Sequence, residues 1–432
     1  MQTPIRFVAL AAIFGLLAGL GCERSPEEVE KWRNAKGGMK KMKTWASSAD
    51  EPMAVRVRAF QVLIEENSAT MLGPALEETK DKAARAKLVD GGVSTITKMW
   101  EKQDIPKLDE KTEKTGGRVK VGASQAVVAK DAAYYLKPYA SGEKAEKLEG
   151  ILADWLSQDW ALRNQLGKTN LGQILPRAGA KGLEHTMTWL EETEKPYKVA
   201  SLLREKGDDE IKKRVAEIVV KRAEAEHPDV SDSLLAAVVS SKSDAVVPYL
   251  KKAIEDPKSS AKIVDQCMEA LKQIEGERAT TFFSKLIREQ KGKLRWAAVN
   301  DLVSVRGKGG ILSAATSLPL EKETYAHPDE DSFKKDAKWF ANFVVSEMKD
   351  AGVSTISNTL IRALNSERWP AQVLGLATAQ GAHKKDLMGD GHDKVLEAVK
   401  NLTSSREKIP GWGEEKRIGE FAHDIADVLE AK

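Results

Sequence analysis

Cysteine is nearly absent: two residues in 432, Cys22 and Cys267, lie far apart and leave no internal disulfide framework. An excess of one charge sign is missing too, since 68 lysines and arginines are matched by 65 acids, for a net charge of +3. That balance lacks the basic footprint that phosphate backbones need, so nucleic acid is not an expected partner. The six histidines nowhere adopt a ligand spacing such as His-Glu-x-x-His, and metal-dependent hydrolysis finds no motif. Gly122-Ala123-Ser124-Gln125-Ala126 lacks the second glycine and the nearby strand of a serine-hydrolase elbow. Gly307-Lys308-Gly309-Gly310 has neither the following Lys-Ser/Thr nor the preceding strand of a phosphate loop. Adjacent acids such as Glu191-Glu192 are common in a chain that is 31% charged, so they define no glycosidase pair. No cofactor is implied.

What is present first is a leader. Arg6 opens an apolar run from Phe7 to Leu20 that closes on Gly19, Gly21 and Cys22. As a helix the run would span only about 21 Å at roughly 1.5 Å per residue, short of a bilayer core, so export is expected and not a spanning anchor. The end of the run resembles a bacterial lipobox, with Gly21-Cys22 as the junction that a lipoprotein signal peptidase would cut. Gly19 and Leu20 stand one place away from the family's preferred small residue and leucine. The resemblance implies a signal peptide over 1–21 and lipidation of Cys22; plain secretion is the alternative. Several acyl chains would anchor the protein durably. Glu23, where the family's inner-membrane retention signal has Asp, turns the expectation toward the outer membrane of a bacterial envelope.

The remaining chain of about 410 residues is long enough for two or three domains or one repeat array. Its low aromatic content, 6%, suits helices with narrow buried stripes. Ser25-Pro26-Glu27-Glu28 reads as a capping box opening a membrane-proximal helical segment, 22–49. The basic residues from Lys31 to Lys43 in that segment read as a solvated face, with anionic lipid contact as the alternative. Stripes then follow: Ile211, Val215, Ile218, Val219 and Arg222; Val247, Leu250 and Ile254; Phe333, Ala337, Phe340, Val344 and Met348; Ile418, Phe421, Ile425 and Val428. Between Ser259 and Ile274, Val264, Cys267, Leu271 and Ile274 form another, which makes Cys267 a small core residue. Each stripe buries one face only, so the helices must stack as a bundle or a solenoid of hairpins.

Several helices open alike. Asp50-Glu51-Pro52-Met53-Ala54-Val55-Arg56 leads to Leu63 and Leu294-Arg295-Trp296-Ala297-Ala298 to Leu302, with looser copies around Arg163, Arg214 and Arg368. These openings resemble the second helix of HEAT repeats, and the arginines from Arg214 onward recur near multiples of 40 residues. The resemblance implies an all-α fold, an α-solenoid of HEAT-like hairpins over 50–432. Each arginine is then expected to snorkel from the stack and bond a neighbouring turn carbonyl or acid. Residues 102–122, with Pro106, Gly116 and Gly117, read as a mobile insertion.

Three loop patterns complete the chain. Asp90-Gly91-Gly92-Val93-Ser94-Thr95-Ile96 recurs as Asp350-Ala351-Gly352-Val353-Ser354-Thr355-Ile356 and predicts a shared interhelical turn. His227-Pro228-Asp229 and His327-Pro328-Asp329 predict helix-starting turns. Asp386, Asp390 and Glu397 stand at positions one, five and twelve of a segment resembling an EF-hand calcium loop. Met388 occupies a ligand position, and the alternative is a polar turn capped by Asp390 or Asp393. The expectation is a non-catalytic, lipid-anchored envelope scaffold that binds another protein, without catalytic or cofactor-binding residues. An enzyme assembled from distant residues and a calcium-responsive module are the alternatives.

Overall fold

The structure is a computed structural model that describes residues 24–105, 124–157, 163–164, 166–325, 332–412 and 416–431. The leader with Cys22, most of the 102–122 insertion and His327-Pro328-Asp329 lie outside the described residues. Among those described the fold is all-α, a helical repeat without strands; the lone β-bridge pairs Lys408 with Arg417. None of these helices is long and apolar enough to cross a membrane.

Two compact units share the chain, Met1–Ala225 with Ser231–Ser241 and Glu226–Val230 with Lys242–Lys432. In the first, Pro26–Arg33 and Gly38–Ser47 pack on Met53–Glu65, which packs on Lys82–Trp100 and so reaches Gln125–Leu136. Gly142–Trp155, Gly179–Glu192, Pro196–Lys206 and Asp232–Val239 continue the packing. In the second unit the helices form two layers. Thr280–Glu289, Lys308–Ser317, Ser357–Leu364 and His392–Asn401 stack in one; Ala261–Glu275, Gly292–Arg306, Ser332–Asp350, Trp369–Lys384 and Ile418–Glu430 stack in the other.

The stripes explain this arrangement. Phe333, Ala337, Phe340, Val344 and Met348 are all fully buried, and each large apolar side chain so removed from water contributes about 1.5–3 kcal/mol. Cys267, Leu271 and Ile263 are buried as well, whereas Val264 and Ile274 are only partly covered, so the buried arc is rotated slightly from the expected one. Serine hydroxyls start helices where the sequence supplies them: Ser231 accepts from the Leu234 amide and Ser260 from the Ile263 amide. Ser25 holds the predicted N-cap position with Pro26 following, but its hydroxyl accepts no capping bond from the helix.

Two expectations are corrected here. His227-Pro228-Asp229 closes Asp209–Glu226 through the Asp229 amide to the Glu226 carbonyl, and the next helix starts only at Asp232, capped by Ser231. Asp90–Ile96 is no turn but the middle of Lys82–Trp100. The matching Asp350–Ile356 does end a helix, with Gly352 at φ +67°.

Candidate functional site

The repeated arginines tie helix ends together. Arg56 Nε donates to the carbonyl of Ala46 at 3.1 Å, in the last turn of Gly38–Ser47. Arg163 Nη1 donates to the Asp154 and Trp155 carbonyls at 2.8 and 2.9 Å, and Arg368 Nη2 to Leu318 at 2.6 Å. Arg295 Nε donates to Gln290 at 2.8 Å. Each guanidinium satisfies carbonyls that a helix C-terminus leaves without partners, and its charge faces the negative end of the macrodipole. Arg56, Arg163 and Arg295 are buried and do not snorkel. Arg214 departs from the pattern by pairing with Glu184 at the surface at 2.7 Å, while Arg222 supplies that helix's carbonyl bonds, to Leu190 and Thr193.

A second polar centre was not visible in the motifs. Lys130 and Asp131, adjacent on Gln125–Leu136, are both fully buried. Lys130 Nζ donates to Asp131 Oδ1 at 2.8 Å and to the carbonyls of Leu166 and Thr169 at 2.9 Å each. Asp131 accepts from the Lys168 and Thr169 amides at 2.7 and 2.9 Å and from the Thr169 hydroxyl at 2.6 Å. Burial pulls the Lys130 ammonium below its ordinary pKa, and Asp131 opposes the shift. With both charges engaged, the pair pins the 166–169 loop to the helix. The available signal was a charged dipeptide between the apolar runs Ala126–Ala129 and Ala132–Ala133.

The first unit also carries an open groove of about 860 Å³. On its wall Arg58 grips Glu65 through two bonds of 2.7 and 3.0 Å and reaches Glu30 at 2.6 Å, while Arg33 meets Glu65 at 2.8 Å. The bond to Glu65 leads the rise of the Arg58 pKa above its ordinary value. Asn67 lines the same groove at φ +51°, and its buried Oδ1 has no hydrogen-bond partner among the described residues. Gln61, Lys98 and Gln125 add further polar side chains. The groove can exchange hydrogen bonds over a broad front, and its ion pairs hold one another in place.

The calcium-like residues are not gathered. Asp386 sits at φ +56°, Asp390 in a 3-10 turn over Gly389–Gly391, and Glu397 on the helix His392–Asn401, all three exposed. Among the described residues no group of three or more His, Cys, Asp or Glu side chains is arranged to hold a metal ion. The loop instead serves packing. Leu387 and Met388 are buried, and their carbonyls accept bonds from the Ile356 amide and from the Thr355 and Ser357 hydroxyls. The expected aspartate cap is absent too, since Gly391 holds the N-cap position. Cys267 is buried, and desolvation pushes its thiol up to about 12.

No protein-family model matches the chain, and no curated protein matches it significantly.

Proposed function

We propose that this chain is a non-catalytic scaffold of the bacterial envelope, tethered by a lipid on Cys22, that binds another protein along the groove of its first unit. The observation that carries the proposal is the make-up of that groove. Its Arg33 and Arg58 are held by Glu30, Glu65 and Glu66, while Asn67, Lys98 and Gln125 stand as separate hydrogen-bonding groups along an open groove of about 860 Å³. Small-molecule sites are mostly apolar and enclosed, whereas repeat folds bind extended partners through many dispersed residues. The leader supports the envelope address, and Glu23 favours the outer membrane.

A photo-crosslinking amino acid at Gln61 or Lys98, in cells producing the full chain, tests the groove. One discrete adduct from these positions, absent when the probe replaces the exposed Lys221 elsewhere in the unit, supports the proposal. A hydrolytic or transfer activity abolished by one side-chain change would overturn the non-catalytic reading. Radiolabelled palmitate incorporation that persists in Cys22→Ala would overturn the tether.

A further inference from the structure

The second unit holds a smaller open hollow. It has a volume of about 230 Å³ between Ser332–Asp350 and Trp369–Lys384 and is lined by Asn342, Ser346, Lys349, Gly381, Lys384 and Lys385, with Val345 beneath. The three lysines converge there, and none forms an ion pair with a described residue. Gly381 brings the two helices close: a Cβ on it would stand 3.1 Å from Val345 Cγ2.

One turn away on the same helix, Trp339 is 44% exposed. It stacks on Phe343, four residues on, at an interplanar angle of 20° and a centroid distance of 6.1 Å, while Trp296 meets it edge-on at 6.5 Å. Residues three and four apart share a helix face, so Trp339, Asn342, Phe343 and Ser346 run as one strip from the aromatic pair into the hollow. Trp339 thus presents an indole face to solvent, backed by Phe343 and Trp296.

We propose that this strip and hollow bind a carboxylate-bearing glycan, independently of the scaffold role. The electron-rich indole face attracts the polarised C–H face of a pyranose ring, the Asn342 amide and Ser346 hydroxyl meet ring hydroxyls, and the lysines meet uronate carboxylates. An acidic peptide would also meet the lysines, but a flat aromatic face followed by the Asn342 amide and Ser346 hydroxyl matches a pyranose, which presents a C–H face beside hydroxyls, more closely than it matches aliphatic side chains. A bare phosphate would leave the aromatic pair unused.

Calorimetric titration of the full chain in detergent with trigalacturonate tests this, with galactotriose, hexaglutamate and inorganic phosphate as comparison probes. Saturable binding of trigalacturonate, weakened about tenfold or more both by Trp339→Ala and by Lys384→Gln/Lys385→Gln, supports the proposal. The double glutamine variant changes only exposed side chains, so it separates lost binding from lost folding; circular dichroism checks Trp339→Ala. Absence of binding, equal binding of galactotriose, tighter binding of hexaglutamate, or phosphate competition with no effect of Trp339→Ala would each overturn it.

Discussion

Arg295 Nε donates to the backbone carbonyl of Gln290 at 2.8 Å, closing the C-terminus of Thr280–Glu289 from within the helix that follows it. A charged hydrogen bond to a buried carbonyl is worth about 1.5–3 kcal/mol, and an exposed ion pair about 0–1 kcal/mol. Arg295→Met is therefore expected to cost about 2–3 kcal/mol in denaturant unfolding and Arg214→Met well under 1 kcal/mol. Equal losses for the two variants would remove the capping role assigned to Arg295.

The Lys130–Asp131 pair makes a sharper energetic statement. Removing one partner strands the other charge without water, so Lys130→Met is expected to destabilise the chain by about 3–5 kcal/mol. Lys130→Met/Asp131→Leu should cost less than the sum of its two single changes. Unfolding curves for the four proteins form a double-mutant cycle, and strict additivity would show that the two charges are not coupled.

Alkaline pH should act through Cys267. Its folded pKa of about 12 exceeds the ordinary 9.0, so below pH 9 both states keep the proton and its stabilising contribution is fully present. Between pH 9 and 12 the unfolded chain releases the proton first, and stability falls by up to about 1.4 kcal/mol per pH unit from this group. Relative to Cys267→Ala, the parent chain should lose stability faster over that window, measured by urea unfolding at several pH values.

Gly92 and Gly352 stand in matching sequence and have different physical work. A methyl on Gly92 would lie 2.9 Å from both Leu136 Cδ2 and Phe60 Cε1, whereas Gly352 has open space but holds φ +67°. Gly92→Ala should cost about 1–3 kcal/mol by overpacking, despite the better helix propensity of alanine. Gly352→Ala should cost about 1 kcal/mol by backbone strain. Thermal unfolding of the two variants distinguishes the causes, because Gly352→Asn should recover part of the loss and Gly92→Asn should not.

The contrast between those two segments shows what local sequence determines. Periodicity located the helices because burial of a stripe is a property of neighbouring residues, as Phe333 to Met348 demonstrate. Whether a Gly-Gly pair bends the chain or admits a neighbour depends on what arrives from elsewhere, here Val57, Phe60 and Leu136. Arg56, Arg163, Arg295 and Arg368 were legible as a recurring position, though not as buried caps, since their acceptors belong to other helices. Lys130 and Asp131 were hidden because the 166–169 loop that satisfies them is more than thirty residues away. Of the strip and hollow in the second unit, only Trp339 and Phe343, beside the hollow, leave a sequence trace. They are aromatic residues at i and i+4 that fall outside the apolar stripe of their own helix.

The direction of the arginine caps bears on how the chain tolerates truncation. Arg56, Arg163, Arg222, Arg295 and Arg368 each reach back toward a carbonyl that precedes them in sequence. Arg222 and Arg368 skip intervening helices to do so, Pro196–Lys206 in the first case and Ser332–Asp350 with Ser357–Leu364 in the second. Truncating the chain before any one of these arginines would therefore leave the carbonyls of an earlier helix end without their cationic donor.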